Sequence, residues 1–287
     1  VAEGNALALD VGGTKAAVAR VAPDGRVLAR DRVPTTDVTD AEELFARVEA
    51  LLRAVTDGTE TVCGIASAGP QTVRGEQVSP INLTVWRDFP LRSRVAEVTG
   101  VPTFLDGDAK ALALAEGRFG AARGIDDYVA MVVSTGVGGG IVLGGRLLDG
   151  VSGNAGHIGH VVVEPDGRRC ACGGTGCLEA EASGTAIAAT TGRPAEEAPI
   201  EVRERSGRLV GRAVASVANL LALRLAVVSG SVALGFGEPF FRAAQAEVDE
   251  HARLSFSAGA RVVASTLADG PVLGAACVGW RGQTEMP

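Results

Sequence analysis

Twice in this sequence a short apolar run, a glycine turn and a second apolar run follow one another, and this pattern constrains the fold more than any other feature. Near the start, Ala6-Leu-Ala-Leu-Asp10 leads into Val11-Gly12-Gly13-Thr14-Lys15 and then Ala16-Ala-Val-Ala19. From Tyr128 to Leu143 the theme returns as Val129-Ala-Met-Val-Val133, Ser134-Thr-Gly-Val-Gly-Gly-Gly140 and Ile141-Val-Leu143. Short apolar runs bounded by turn residues read as buried strands, and glycine gives the backbone the freedom to turn back between them. Two such units suggest a duplicated α/β fold facing a single cleft.

The segments between them extend this reading. Leu44, Phe45, Val48, Leu51, Leu52 and Val55 recur at helical spacing among polar residues, so 41–55 is expected as an amphipathic helix covering the sheet. Runs 61–66 and 101–105 read as strands, the second ending at Asp106-Gly107-Asp108, and the Ala- and Leu-rich stretch 109–118 reads as a helix. Residues 150–184 form a Gly- and Cys-rich insert with little periodicity, 191–205 read as an exposed connection, and 208–225 as an apolar helix. Val227-Val228 is a strand leading to the small-residue turn Ser229-Gly230-Ser231. A helix at 238–254, a strand at 261–264 and a closing helix at 271–280, with Pro271 in its first turn, complete the chain. With 287 residues, 46% hydrophobic and only 4% aromatic, the core has to be built from Ala, Val and Leu, and two lobes are the expectation.

A net charge of −7 offers no general positive field, which argues against nucleic acid as the main partner. No apolar stretch reaches about 18 residues, and the N-terminus lacks a basic segment followed by a hydrophobic run, so a soluble, cytoplasmic protein with no membrane partner is expected. In that setting the five cysteines are reduced thiols, and their spacing has to explain them.

An aspartate ending a strand two residues before Gly-Gly-Thr sets backbone N–H groups and a hydroxyl around an anion, with a carboxylate in reach of a hydrated Mg²⁺. Asp10, Gly12, Gly13, Thr14 and the adjoining Lys15 are phosphate-loop candidates on that ground, beside the plain reading of a hairpin turn. Thr135, Gly136 and Gly138 in the second turn are suited to clamp nucleotide phosphates from the opposite side, and Gly230 lies in a turn suited to the adenosine. Asp108 stands where a strand gives way to a helix, which exposes its carboxylate and equally fits a simple N-cap. Asp106 competes with it for the role of base, and local chemistry does not rank the two. His160, Cys170, Cys172 and Cys177, spaced H-x9-C-x-C-x4-C, supply one imidazole and three thiolates, the ligand set of a tetrahedral structural Zn²⁺ site; free or redox-active thiols are the other reading. Cys63 and Cys277 fall in apolar segments and read as core residues.

Assembled, these residues make the chain resemble the ROK family of sugar kinases, sugar-responsive repressors and related proteins. The resemblance is carried by DVGGTK at 10–15, DGDAKALALAE at 106–116, STGVGGGIVLGGRL at 134–147 and GNAGHIGHVVVEPDGRRCACGGTGCLEAEASG at 153–184. It implies an actin-like ATPase fold of the ribonuclease H-like kind, with two α/β lobes around a cleft. The first lobe would span 1–107 and be completed by a C-terminal helix at 271–287; the larger lobe, 108–270, would carry a zinc-binding insert at 153–184. It also implies ATP- and Mg²⁺-dependent phosphorylation of a hexose-like sugar at the 6-hydroxyl. Asp108 would be the base, Asn82, Asn154, His157, His160 and Glu179 would face the sugar, and a structural zinc would share His160 with it. A homodimer is implied as well. Two positions depart from the commonest family pattern: Gly107 stands where many members carry Asn, and His157 where many carry Glu. Glucose, N-acetylmannosamine and an aminosugar or unusual hexose therefore all stay open as substrates, as does polyphosphate as donor. Because DVGGTK starts at residue 10, the repressors' helix-turn-helix region is not expected. A sugar-binding sensor or pseudokinase without turnover remains the alternative, and retention of Asp10, Thr14 and Asp108 argues against it.

Overall fold

The computed structural model describes residues 4–81 and 83–285. In chain order its first elements are β1 (Asn5–Val11), β2 (Lys15–Val21), β3 (Val27–Pro34), α1 (Ala41–Val55), β4 (Glu60–Ser67), α2 (Leu91–Thr99), β5 (Thr103–Gly107) and α3 (Asp108–Phe119). There follow β6 (Tyr128–Val133), β7 (Val137–Leu143), β8 (Arg146–Leu147), α4 (Leu178–Ala182), α5 (Gly184–Thr191) and α6 (Ile200–Leu221). The chain closes with β9 (Leu225–Ser229), α7 (Ser231–Phe236), α8 (Glu238–His251), β10 (Arg261–Ala264) and α9 (Gly270–Glu285). No helix among the described residues is long and apolar enough to cross a membrane.

The chain divides into two compact units. One comprises the residues up to Ala115, Asp149–Ala155 and the residues from Ala268 onward; the other comprises Glu116–Leu148 and Gly156–Leu267. A short stretch from the middle of the chain thus joins the first unit. The reason is polar: Asp149 and Gly153 are bonded to Lys110 in the opening turn of α3.

The sheet of the first unit runs β3-β2-β1-β4-β5, with β1, β2 and β3 antiparallel and β1, β4 and β5 parallel. Helix α1 starts where Asp40 accepts a bond from the Glu43 N–H at 2.8 Å, a side-chain N-cap, and its buried stripe is the one read from the sequence. Leu44, Val48 and Leu52 from that stripe share a core with Leu7, Leu9, Ile65 and Trp86. The second unit repeats the plan in the order β10-β9-β6-β7-β8, again an antiparallel meander followed by parallel strands. Its core joins Met131 and Val228 of the sheet to Val210, Val214 and Phe240 of α6 and α8. The repeated pattern in the sequence is thus a repeat of topology.

Two readings change. The exposed connection is shorter than 191–205, because α6 already begins at Ile200, after Pro199, with Arg203 Nε donating to Ala198 O at 2.8 Å. The same helix stops at Leu221, where Ala222 turns left-handed (φ 57°) to feed β9, so residues to 225 are not helical.

Candidate active site

In the first unit the glycine turn joins β1 to β2. Gly12 N–H closes it on Lys15 O at 3.0 Å, and Thr35, just beyond β3, donates from its hydroxyl to Gly12 O (3.0 Å) and from its N–H to Thr14 O (3.1 Å). The turn's carbonyls are thereby tied back to the sheet, while Thr14 and Lys15 are exposed and Gly13 is half-buried. Asp10 and Lys15 line a cavity of about 430 Å³ with Arg30, Arg32 and Asp269. Burial, and after it the Asp108 carboxylate, push Asp10 up to about 7 against the pull of Lys15, so the two aspartates sense one another's charge.

Asp106 and Asp108, equivalent by sequence, are physically different. Asp108 opens α3, is exposed, and accepts a bond from the Ala109 N–H at 2.7 Å. Asp106 ends β5 and is only 7% exposed. Its Oδ1 pairs with Lys110 Nζ at 2.9 Å and accepts from Gln71 Nε2 (3.0 Å) and Gly107 N–H (2.8 Å), while Oδ2 faces Arg281 at 3.4 Å. The sequence pattern assigns Lys110 no role, although a lysine amid the Ala and Leu of the first turns of α3 is a signal of a buried partner. Asn154 spends its amide N–H groups on Gln71 O (3.1 Å) and Ser152 O (3.0 Å), and Asn82 lies outside the described residues.

In the second unit the glycine turn is narrower than expected. β7 begins at Val137, so Thr135 and Gly136 belong to the turn whereas Gly138 sits in the strand opposite Val132. Gly139 serves packing: a Cβ there would lie 2.7 Å from Ile158 Cγ2, so its absence lets the histidine-bearing loop approach the strand. Glu179, from α4, accepts the Val137 N–H at 2.9 Å, and Thr185 donates to Thr135 O from its hydroxyl at 2.9 Å. Glu179 is therefore a brace of this turn, a role not legible in the sequence. Gly230 adopts φ 102°, and a Cβ there would lie 2.3 Å from Val133 O, so only glycine fits. Next to it Ser231 Oγ meets Ser134 Oγ at 2.9 Å.

His160, Cys170, Cys172 and Cys177 converge, with all four ligand atoms within 4.8 Å of one another. Cys172 Sγ and Cys177 Sγ are 3.7 Å apart, and His160 turns Nδ1 to Cys170 Sγ at 3.8 Å. A tetrahedral ion with Zn–S near 2.3 Å holds its sulfurs roughly 3.8 Å apart, so the donor set fits zinc without rearrangement. Burial and the neighbouring thiols push Cys177 up to about 12, whereas the Gly174 N–H lowers Cys172. Three thiolates crowd one another unless a cation is shared among them. His157 stacks near His160, ring centroids 6.2 Å apart and 12° from parallel.

Two hairpin-led sheets of one topology, each with a small-residue turn at the end of its first strand, define the actin-like ATPase fold. Residues 6–280 match the ROK family, and the chain belongs to that family. It is similar to the glucokinase of Thermotoga maritima, 33% identical over 306 residues that cover 95% of this chain and 96% of that protein. It is similar also to the N-acetylmannosamine kinase of Escherichia coli, 38% identical over 250 residues covering 80% of this chain and 84% of that protein. Among solved structures it resembles a ROK family glucokinase from Streptomyces griseus in complex with glucose and AMPPNP, with a TM-score of 0.82, 29% identity, and coverage of 97% of this chain and 100% of that one.

Proposed function

We propose that this protein transfers the terminal phosphoryl group of ATP to a hydroxyl, the 6-hydroxyl of a hexose-like sugar, with Asp108 as general base. The observation that carries this reading is the contrast between the two aspartates. Asp106 is buried, and its oxygens are already engaged by Lys110, Gln71, the Gly107 N–H and Arg281, so it is not presented to a substrate hydroxyl. Asp108 is exposed at a helix N-terminus and close enough to Asp10 for their charges to interact.

In this reaction Asp108 takes the hydroxyl proton as the sugar oxygen attacks phosphorus and the bond to ADP breaks. The glycine turn with Gly12, Gly13, Thr14 and Lys15 orients the phosphates, and Asp10 would hold the Mg²⁺, which neutralises their charge. Thr135 and Gly136 contact the nucleotide from the second turn, and Gly138 from the start of β7. Gly230 borders the nucleoside. Asn82, Asn154, His157, His160 and Glu179 recognise the sugar, with His160 presenting Nδ1 to a structural zinc. The named relatives support glucose and N-acetylmannosamine as the substrates to test first. The same reading takes the protein as a cytoplasmic homodimer with no nucleic-acid partner.

The test is a coupled ADP-release assay over a panel of hexoses and aminosugars, with Asp108→Asn beside Asp106→Asn. Asp108→Asn should lower kcat by roughly 10²- to 10⁴-fold while calorimetry still detects sugar binding. Asp106→Asn should act mainly on stability. A folded Asp106→Asn protein without turnover, beside an active Asp108→Asn, would exchange the roles; sugar binding with no turnover by the wild type would mark a sensor.

A further inference from the structure

One buried ammonium holds both ends of a loop. Lys110 is 4% exposed, and its Nζ meets three acceptors: Asp106 Oδ1 at 2.9 Å, Asp149 Oδ1 at 2.7 Å and the Gly153 carbonyl at 2.9 Å. Three acceptors match the three donors of an ammonium, and a planar guanidinium does not reproduce that geometry. Arg281 completes the arrangement from α9, with Nη2 on Asp149 Oδ2 at 2.6 Å. Two cations thus face the Asp106 and Asp149 carboxylates, and Arg281 Nε carries a third, Glu285 Oε1, at 3.0 Å.

The loop they hold turns outward at its tip. Val151 at its tip is 100% exposed, so no apolar side chain anchors the turn there. Polar ties within and from it include Ala155 N–H on Asp149 O at 3.0 Å and Asn154 Nδ2 on Ser152 O at 3.0 Å and on Gln71 O at 3.1 Å. Asn154 is a sugar-facing candidate, and Lys110 lies half a turn from Asp108 on α3.

We infer that Lys110 is a positioning residue for the phosphoryl acceptor: it clasps residues 149 and 153, and so fixes Asn154 relative to the helix that carries Asp108. The inference rests on the kinase reading above. Small displacements of positioning groups cost more in rate or affinity than in fold, so its signature is in the sugar parameters. Lys110→Met should raise the sugar KM on the order of tenfold while the ATP KM stays within about twofold. It also leaves Asp106 and Asp149 to share Arg281 with Glu285, and its Tm should fall.

A second variant separates the two effects. Lys110→Met with Asp149→Asn restores the cluster's wild-type net charge without restoring the clasp. Its Tm should recover toward wild type, its sugar KM should stay raised, and amides 149–155 should exchange with deuterium faster than in the wild type. A sugar KM that returns to the wild-type value together with the Tm would show Lys110 to be structural only and overturn the inference, as would a Lys110→Met protein with an unchanged sugar KM. A wild type that phosphorylates no sugar in the panel would refute the kinase reading and this inference with it; the variant outcomes on an active wild type bear on the clasp alone.

Discussion

Asp10→Asn should make the metal-free, nucleotide-free protein more stable above pH 7 while abolishing its turnover. Asp10 titrates near 7 in the folded protein against 3.8 as a free side chain, chiefly because it is buried and secondly because Asp108 is near. A carboxyl raised in this way keeps its proton in the native state after the unfolded chain has released its own. Native stability is therefore unaffected below 3.8, is lost progressively as pH rises to about 7, and stays lost above it. At about 1.4 kcal/mol for each pH unit between those values, the full cost is on the order of 4 kcal/mol. Asn is neutral and of the same size, so it carries none of this cost. The gain of the variant over wild type should be near zero at acid pH, about 2 kcal/mol at pH 5.5 and about 4 kcal/mol at pH 8. Urea unfolding in EDTA measures it. Trp86 and Trp280, both buried in the unit that holds Asp10, supply the fluorescence. Comparing variant with wild type at each pH cancels the other titrating groups. Added Mg²⁺ should stabilise the wild type and leave the variant unchanged. A gain no larger at pH 8 than at pH 5.5 would refute the reasoning, and so would a variant destabilised throughout.

Zinc should be found by elemental analysis at one ion per chain, and Cys172→Ser should lose it together with thermal stability and sugar affinity; a metal-free preparation of full stability and activity would rule the site out. Gly107→Asn should fold, because a Cβ there meets nothing nearer than Lys110 Cδ at 4.0 Å. The added amide should redistribute kcat/KM among epimers and aminosugars, and an equal effect on every sugar in the panel would count against a role in recognition.

The strands that lead each sheet, the stripe of α1 and the zinc array are legible in the sequence because each is a local pattern. Short apolar runs, helical spacing and ligand spacing are all written within about 20 residues of chain. Two elements of the first unit escaped that reading. β3 is exposed at most positions and forms because β2 offers it an edge, and α2 buries only Leu91 and Val95, too few for a periodic signal. The glycines at 138–140 read as part of a turn and are strand residues, and at Gly139 the need for a missing Cβ comes from a loop about 20 residues further on.

The chemistry divides along the same line. From sequence alone Asp106 and Asp108 are two carboxylates at one junction, and nothing local distinguishes them. Tertiary structure separates them by bringing Arg281 to one from 175 positions away, while Arg281 also holds Asp149 from 132 positions away. Lys110 and Glu179 likewise acquire their partners across 39 and 42 positions. The sequence determined which residues can carry charge, bind metal or turn the chain; folding decided which carboxylate stays exposed and which is neutralised. Desolvation and ion pairing depend on what surrounds a group in space, and no local periodicity records that.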